Sequence, residues 1–167
     1  YNWNAPIVAS PHDYSTIYHA SNVLVRTRDR GMTWEEISPD LTRDDDTRQG
    51  YGGGPITNEG AGGEIYGTIY YMVESPHERG TIWTGSDDGL IQLTRDDGRT
   101  WTDMTPDLGL PDGQINAIEV SPHDPATVYV SYNSYKFNDF TPHVLVTNDY
   151  GEHWEDRTNG IPEEAYT

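Results

Sequence analysis

The octapeptide "TRDRGMTW" at residues 27–34 returns as "TRDDGRTW" at 94–101 and as "TNDYGEHW" at 147–154. Each copy keeps Thr, Asp, Gly and Trp in register, and the last one exchanges a second Thr for His153. Reading outward, each octapeptide follows a Ser-Pro-His turn and a short apolar run: "SPHDYSTIYHAS" from residue 10, "SPHERGTIWTGS" from 75 and "SPHDPATVYVSY" from 121. A repeat of this length is the mark of stacked supersecondary units rather than of one irregular domain.

Within each unit, four runs rich in β-branched and aromatic residues are separated by turn formers, which predicts four strands per repeat. The runs are 6–9, 16–20, 23–27 and 33–37; then 68–74, 81–85, 90–94 and 100–104; then 116–120, 127–131, 144–147 and 153–157. The second and third runs of each unit are nearly continuous in apolar character, as expected of strands covered on both faces. Helical periodicity is absent. The expected fold is therefore all-β: a β-propeller segment of three four-stranded antiparallel blades, with 1–41 as the first blade, 42–64 as an inserted inter-blade segment, 65–108 as the second blade, and 109–162 as the third with an insertion at 133–143. Three blades leave two sheet faces open, so a larger ring, completed by the rest of a longer protein or by further copies, is expected.

The octapeptide has a mechanical reading. Asp29, Asp96 and Asp149 can accept hydrogen bonds from backbone N–H groups ahead in the turn. Gly31, Gly98 and Gly151 supply a position free to take positive φ. Trp34, Trp101 and Trp154 open the fourth run with rings able to pack between blades. None matches a D-x-[DN]-x-[DN]-G calcium loop, and no metal is assigned to them. His12, His77 and His123 sit in equivalent turns of different blades, too far apart to meet at one ion, so a turn role is expected for them.

These residues carry a resemblance. The octapeptide resembles the Asp box, Ser/Thr-x-Asp-x-Gly-x-Thr-Trp, of the sialidase-like BNR-repeat and sortilin (VPS10) propellers, and the pattern as a whole is similar to large bacterial sortilin-like or BNR-repeat glycosyl hydrolase proteins. The resemblance implies rings of about seven blades, an Asp box that is structural and peripheral, and an extracellular or periplasmic location. A sialidase would add Arg-Ile-Pro near the start and an arginine cluster for the substrate carboxylate. The tripeptide is missing, and Arg28, Arg30, Arg95 and Arg99 all lie in the octapeptides.

Composition narrows the partners. Asp plus Glu number 28 against 10 Lys plus Arg, a formal charge of -18, so a nucleic-acid backbone or an anionic lipid surface is excluded as a natural partner. No cysteine is present, which removes disulfides, thiolate metal sites and Cys nucleophiles. No apolar run approaches the length of a membrane-spanning helix, and the chain opens without an initiating Met, which reads as an excised piece of a longer protein.

Both long insertions fall in connections on the side of the disc opposite the octapeptides, since strand direction alternates within a blade. Long loops on a rigid scaffold are where recognition residues concentrate. The candidates are Asp44, Asp45, Asp46, Tyr51, Glu59 and Glu64 in the first insertion, and Tyr135, Lys136, Phe140 and His143 in the second. Carboxylates beside aromatics suit a peptide or a glycan, and the acidic triplet could hold a hard cation such as Ca²⁺; otherwise no cofactor is implied. "GYGGG" is no phosphate loop, because no Gly-Lys-Ser/Thr follows it. The leading expectation is a noncatalytic recognition module binding a protein, peptide or glycan; the alternative is a glycoside hydrolase, other than a sialidase, working through a carboxylate pair. A third reading makes the open blades a polymer contact.

Overall fold

A computed structural model describes residues 4–49, 66–107, 113–162 and 165. Its strands are β1 (Ile7–Ala9), β2 (Ile17–Ala20), β3 (Leu24–Thr27), β4 (Glu35–Glu36), β5 (Ile69–Glu74), β6 (Ile82–Ser86), β7 (Ile91–Thr94), β8 (Thr102–Asp103), β9 (Gln114–Val120), β10 (Val128–Ser134), β11 (Asp139–Thr147) and β12 (Glu155–Asp156). They form three antiparallel four-stranded sheets in chain order, β1–β4, β5–β8 and β9–β12, hereafter blades 1, 2 and 3. There is no α-helix among the described residues; a single 3₁₀ turn, Tyr135–Phe137, joins β10 to β11. The all-β, bladed architecture expected from the repeat is the one observed.

Hydrophobic cores lie between blades, not within them. Tyr18, Ala20 and Leu24 of blade 1 meet Ile69, Met72 and Ile82 of blade 2 in one cluster. Trp83, Ile91 and Leu93 of blade 2 meet Ile115, Ile118, Val128 and Val130 of blade 3 in the other. A twisted sheet has two apolar faces to bury, and each face here is covered by the next sheet. Continuous burial is accordingly confined to the middle blade: every residue of β6 is buried, whereas β2 and β10 alternate. Among the described residues, only the second run of blade 2 has a sheet against both of its faces, and there the expected burial is observed.

The fourth strand is shorter than its predicted run, two residues in every blade. Thr33 and Trp34 are taken up by the turn, and Ile37 turns inward to the core. A side-chain hydroxyl then closes the sheet edge in each blade: Leu24 N–H donates to Ser38 Oγ, Ile91 N–H to Thr105 Oγ1 and Val144 N–H to Thr158 Oγ1, at 2.8, 3.0 and 3.1 Å.

The octapeptide turn is built alike three times. Thr27 Oγ1 donates to Asp29 Oδ1 and accepts from Gly31 N–H at 2.8 Å, while the two oxygens of Asp29 accept Thr33 N–H and Thr33 Oγ1–H at 2.8 and 2.7 Å. Asp96 and Thr100 repeat this at 2.9 and 2.7 Å. In the third copy His153 Nδ1 takes the hydroxyl's place, 2.7 Å from Asp149 Oδ2. Two successive residues in each turn have positive φ, Arg30–Gly31, Asp97–Gly98 and Tyr150–Gly151, which explains the fixed glycine. Saturated with donors, all three carboxyls are pulled down to about 2: by Thr33 at Asp29, by Thr100 at Asp96, and by the His153 backbone and ring at Asp149.

The Ser-Pro-His histidines do more than shape their own turns. His12 N–H and His77 N–H donate to Ser10 Oγ and Ser75 Oγ, a local turn contact as expected. Their rings, however, reach into the next blade: His12 Nε2 lies 2.8 Å from Ser75 O, and His77 Nε2 lies 2.8 Å from Ser121 O. The turn role is therefore corrected to a turn that also pins neighbouring sheets together.

Candidate functional site

The connection leaving blade 1 is held by the hairpin between β6 and β7. That hairpin reads Ser86-Asp87-Asp88-Gly89, and both carboxylates are buried. Asp87 Oδ1 accepts Gly67 N–H and Thr68 N–H at 3.0 and 2.8 Å, fixing the start of blade 2. Asp88 Oδ2 accepts Arg43 N–H, and its carbonyl accepts Arg43 Nε–H, both at 2.8 Å. Burial pushes both carboxyls up from the usual aspartate range, and the bonds they accept oppose that rise.

Above this anchor the connection turns on Asp40, which accepts Thr42 N–H and Thr42 Oγ1–H at 2.9 and 2.7 Å through one oxygen and Asn22 Nδ2–H at 2.6 Å through the other. Gln49 Nε2–H donates to Asp44 Oδ1 at 3.1 Å. Asp44 has a φ of 49°, an unusual conformation for a residue with a side chain. Between blades 1 and 2, Asn22, Asp40, Asp44, Gln49, Tyr66, Gly67 and Thr68 line a polar cleft of about 150 Å³. A Cβ on Gly67 would lie 2.9 Å from Gln49 Nε2, so glycine keeps this wall open. Thr68 is buried and its Oγ1 has no hydrogen-bond partner.

The two insertions converge beside the cleft. Arg48 donates to the Tyr66 hydroxyl at 3.1 Å, pairs with Asp45 at 3.3 Å, and lies 5.7 Å from the centroids of both the Tyr66 and the Phe137 rings. Phe137 belongs to the 3₁₀ turn of blade 3, so a cation held between two rings joins the blade 1 connection to the blade 3 hairpin. Lys136 is near enough to Asp87 to act on its carboxyl electrostatically.

Of the residues singled out in the sequence, Asp44 alone among the described ones lines the cleft. Asp45 is spent on Thr47 N–H, Thr47 Oγ1–H and Arg48, which hold its carboxyl low, and Asp46 is exposed. The triplet does not gather as a cation cage: among the described residues, three ligating side chains come within one ion's reach only at Asp149, Glu152 and His153. Tyr51, Glu59 and Glu64 lie outside the described residues. Tyr135 and Phe140 are exposed at the tip of the blade 3 hairpin beside Lys136. His143 departs from the expectation of a loop residue. It is buried in β11, with its ring centroid 5.0 Å from that of Tyr132 and its Nε2 3.7 Å from Asp139. The insertion at 133–143 is thus a lengthened hairpin, and strand alternation turns His143 inward.

Sequence reading missed Asp40, Asp87, Asp88 and Thr68. A signal existed for the first: Ser38-Pro39-Asp40-Leu41 recurs as Thr105-Pro106-Asp107-Leu108 after the second octapeptide. Asp-Asp-Gly at 87–89 reads only as a hairpin turn.

No family model and no curated protein matches the chain. Solved structures do. YCF48 bound to D1 peptide is similar at 18% identity with a TM-score of 0.55, over 92% of this chain and 39% of that one. YCF48 from Cyanidioschyzon merolae follows at 16% identity and a TM-score of 0.53, over 90% and 35%. A GH74 xyloglucanase from Xanthomonas campestris gives 16% identity and a TM-score of 0.45, over 90% and 29%. The chain therefore spans well under half the length of the structures it matches. The two YCF48 structures are β-propellers, and the likeness to them establishes that fold for the three blades.

Proposed function

We propose that the chain is a noncatalytic recognition and scaffold segment of a larger, exported, sortilin-like Asp-box propeller, and that it binds a peptide or protein through the face carrying the two insertions. The observation that carries the reading is the junction at Arg48, which ties segments more than eighty residues apart into one surface with Tyr66 and Phe137. Exposed Tyr135 and Phe140 stand beside it, and exposed aromatics next to anchored charge suit a peptide chain. The neighbour YCF48 holding the D1 peptide is a precedent for a propeller of this build acting as a peptide binder. Further blades, from a longer chain or another copy, cover the outer faces of blades 1 and 3; the repeated contacts that lack a partner there, above all at Trp34 and Gly31, support this.

Selection from a random peptide display library tests the reading. Selected peptides should lose binding to a Tyr135→Ala, Phe140→Ser double variant and keep it with Arg99→Ala, Glu152→Ala, which alters only the octapeptide side. The reverse pattern, or release of reducing sugar from a polysaccharide by the chain, would overturn it.

A further inference from the structure

We propose that the cleft between blades 1 and 2 is a binding site for the guanidinium group of an arginine side chain on a peptide or protein partner; this rests on the recognition role given to this face. The starting point is Thr68, whose buried Oγ1 meets no partner although it lines an open, polar space. A buried hydroxyl left without a hydrogen bond is destabilising, and a polar group brought in by a ligand would offset that cost.

The rest of the wall fixes the ligand's chemistry. Two carboxylates, Asp40 and Asp44, line the cleft, and each accepts one N–H of a neighbouring side-chain amide: Asn22 Nδ2 donates to Asp40 and Gln49 Nε2 to Asp44. Asn22 Oδ1 already accepts Ser21 Oγ–H, so the acceptors of this wall are the two carboxylates, the Gln49 amide oxygen and the Thr68 side chain, with no cation among the lining residues. A wall of acceptors selects a ligand rich in donors and positive in charge. Guanidinium offers five N–H donors in one plane.

Competing ligands fit less well. A divalent cation favours several charged ligands within reach of one point, and the described residues bring three carboxylate or imidazole side chains together only on the opposite side, at Asp149, Glu152 and His153. An oligosaccharide needs more room than about 150 Å³ and would bring acceptors of its own into a site with few donors to spare. The two arginines nearby are engaged, Arg43 by Asp88 and Arg48 by Asp45 and the Tyr66 hydroxyl, while Lys136 acts on Asp87 below the cleft. At a formal charge of -18 the whole chain also draws a basic partner toward this face.

The test titrates the ¹⁵N-labelled chain with Ac-Gly-Arg-Gly-NH₂ and with the same peptide carrying citrulline, which keeps the shape and loses the charge. Shifts should concentrate on the Asn22 and Gln49 side-chain amides and on the Thr68 amide, with citrulline binding about tenfold more weakly. Thr68→Val and Asp44→Asn should each weaken arginine binding several-fold while unfolding at the urea concentration of the parent, since the first removes an unpartnered hydroxyl and Asn tolerates positive φ. Equal binding of citrulline, indifference to both substitutions, or Ca²⁺ moving these resonances where arginine does not would each overturn the assignment. Library peptides that bind the Tyr135–Phe140 surface while the arginine peptide leaves the cleft untouched would sink this inference alone; no binding to either would sink both readings.

Discussion

Tyr18, Trp83 and Tyr129 hold the same position in β2, β6 and β10, yet they are 2%, 0% and 46% exposed. Tyr18 lies under blade 2 and Trp83 under blade 3, whereas the corresponding face of blade 3 has nothing against it among the described residues. The opposite face runs the gradient the other way. Trp101 Nε1–H donates to Ile37 O at 3.0 Å and Trp154 Nε1–H to Met104 O at 2.8 Å, each reaching the preceding blade, whereas Trp34 is exposed and meets no such blade among the described residues. Burial of an aromatic in this fold is a property of the neighbour, not of the strand that carries it. Among the described residues seven large apolar side chains are exposed, and all belong to blades 1 and 3.

Truncating the aligned aromatics breaks or confirms that comparison with the largest effect. Trp83→Ala should cost about 3–5 kcal/mol in urea unfolding, because it empties a packed site against Trp154 and the blade 3 strands. Tyr129→Ala should cost less than about 1 kcal/mol, as its ring is half in water already. If the two costs match, Tyr129 is covered in solution, and a melting temperature that rises with protein concentration would show a second copy to be the cover.

Glycine substitutions sharpen the same contrast on the other face. Gly31 and Gly98 have φ of 92° and 88°, so alanine strains both backbones by about 1–2 kcal/mol. Only at Gly98 would the new methyl also meet the preceding blade, 2.6 Å from Ile37 O, whereas at Gly31 its nearest neighbour is Trp34 at 3.9 Å. Gly98→Ala should therefore be the worse by a further ~1–3 kcal/mol. Equal costs would mean that a blade is packed on Gly31 as well.

A smaller step separates His77 from His123. The ring of His77 meets Ser121 O at 2.8 Å, while His123 is exposed with only its backbone N–H engaged, by Ser121 Oγ. His77→Ala should cost about 0.5–1.5 kcal/mol and His123→Ala nothing measurable by the same unfolding assay. A cost at His123 would locate a following blade, since its ring is the one that would pin it.

What the sequence made readable follows from distance along the chain. Asp29, Gly31, Thr33 and Trp34 act within eight residues, so their turn could be derived from spacing and residue type alone, and three copies gave the fold. The histidine pins could not be read that way: His12 and Ser75 are sixty-three residues apart, and the Ser-Pro-His motif looks the same whether or not its ring leaves the turn. The candidate face was readable in part, because alternating strand direction fixes the side on which a connection emerges. The cleft was not, because it needs Asn22, Asp44 and Thr68 from three separate segments and a hydroxyl left unpaired, which no pattern encodes. His143 was misread for a simpler reason: a long hairpin and a loop of equal length look alike until the alternation of buried Tyr132, Ser134 and His143 is seen.

The third octapeptide differs from the first two by one exchange, and pH separates them. Asp29, Asp96 and Asp149 are all depressed to about 2, so the stability they lend is present above the ordinary carboxylate range and is lost only as pH falls toward that value, in all three turns alike. His153 is shifted the other way, raised above its ordinary 6.5 chiefly by its bond to Asp149. A raised histidine lends stability that is complete below its unfolded pKa and is lost as pH climbs through the folded one. Only the third turn should therefore loosen as pH rises from below the ordinary histidine value of 6.5 into the alkaline range. His153→Thr restores the residue found in the other two copies and should flatten that dependence, read as the urea midpoint across this range. The imidazole is 85% exposed, so the effect is small and shrinks with added salt. An undiminished pH dependence in His153→Thr would transfer the titration to another histidine and leave the three turns equivalent after all.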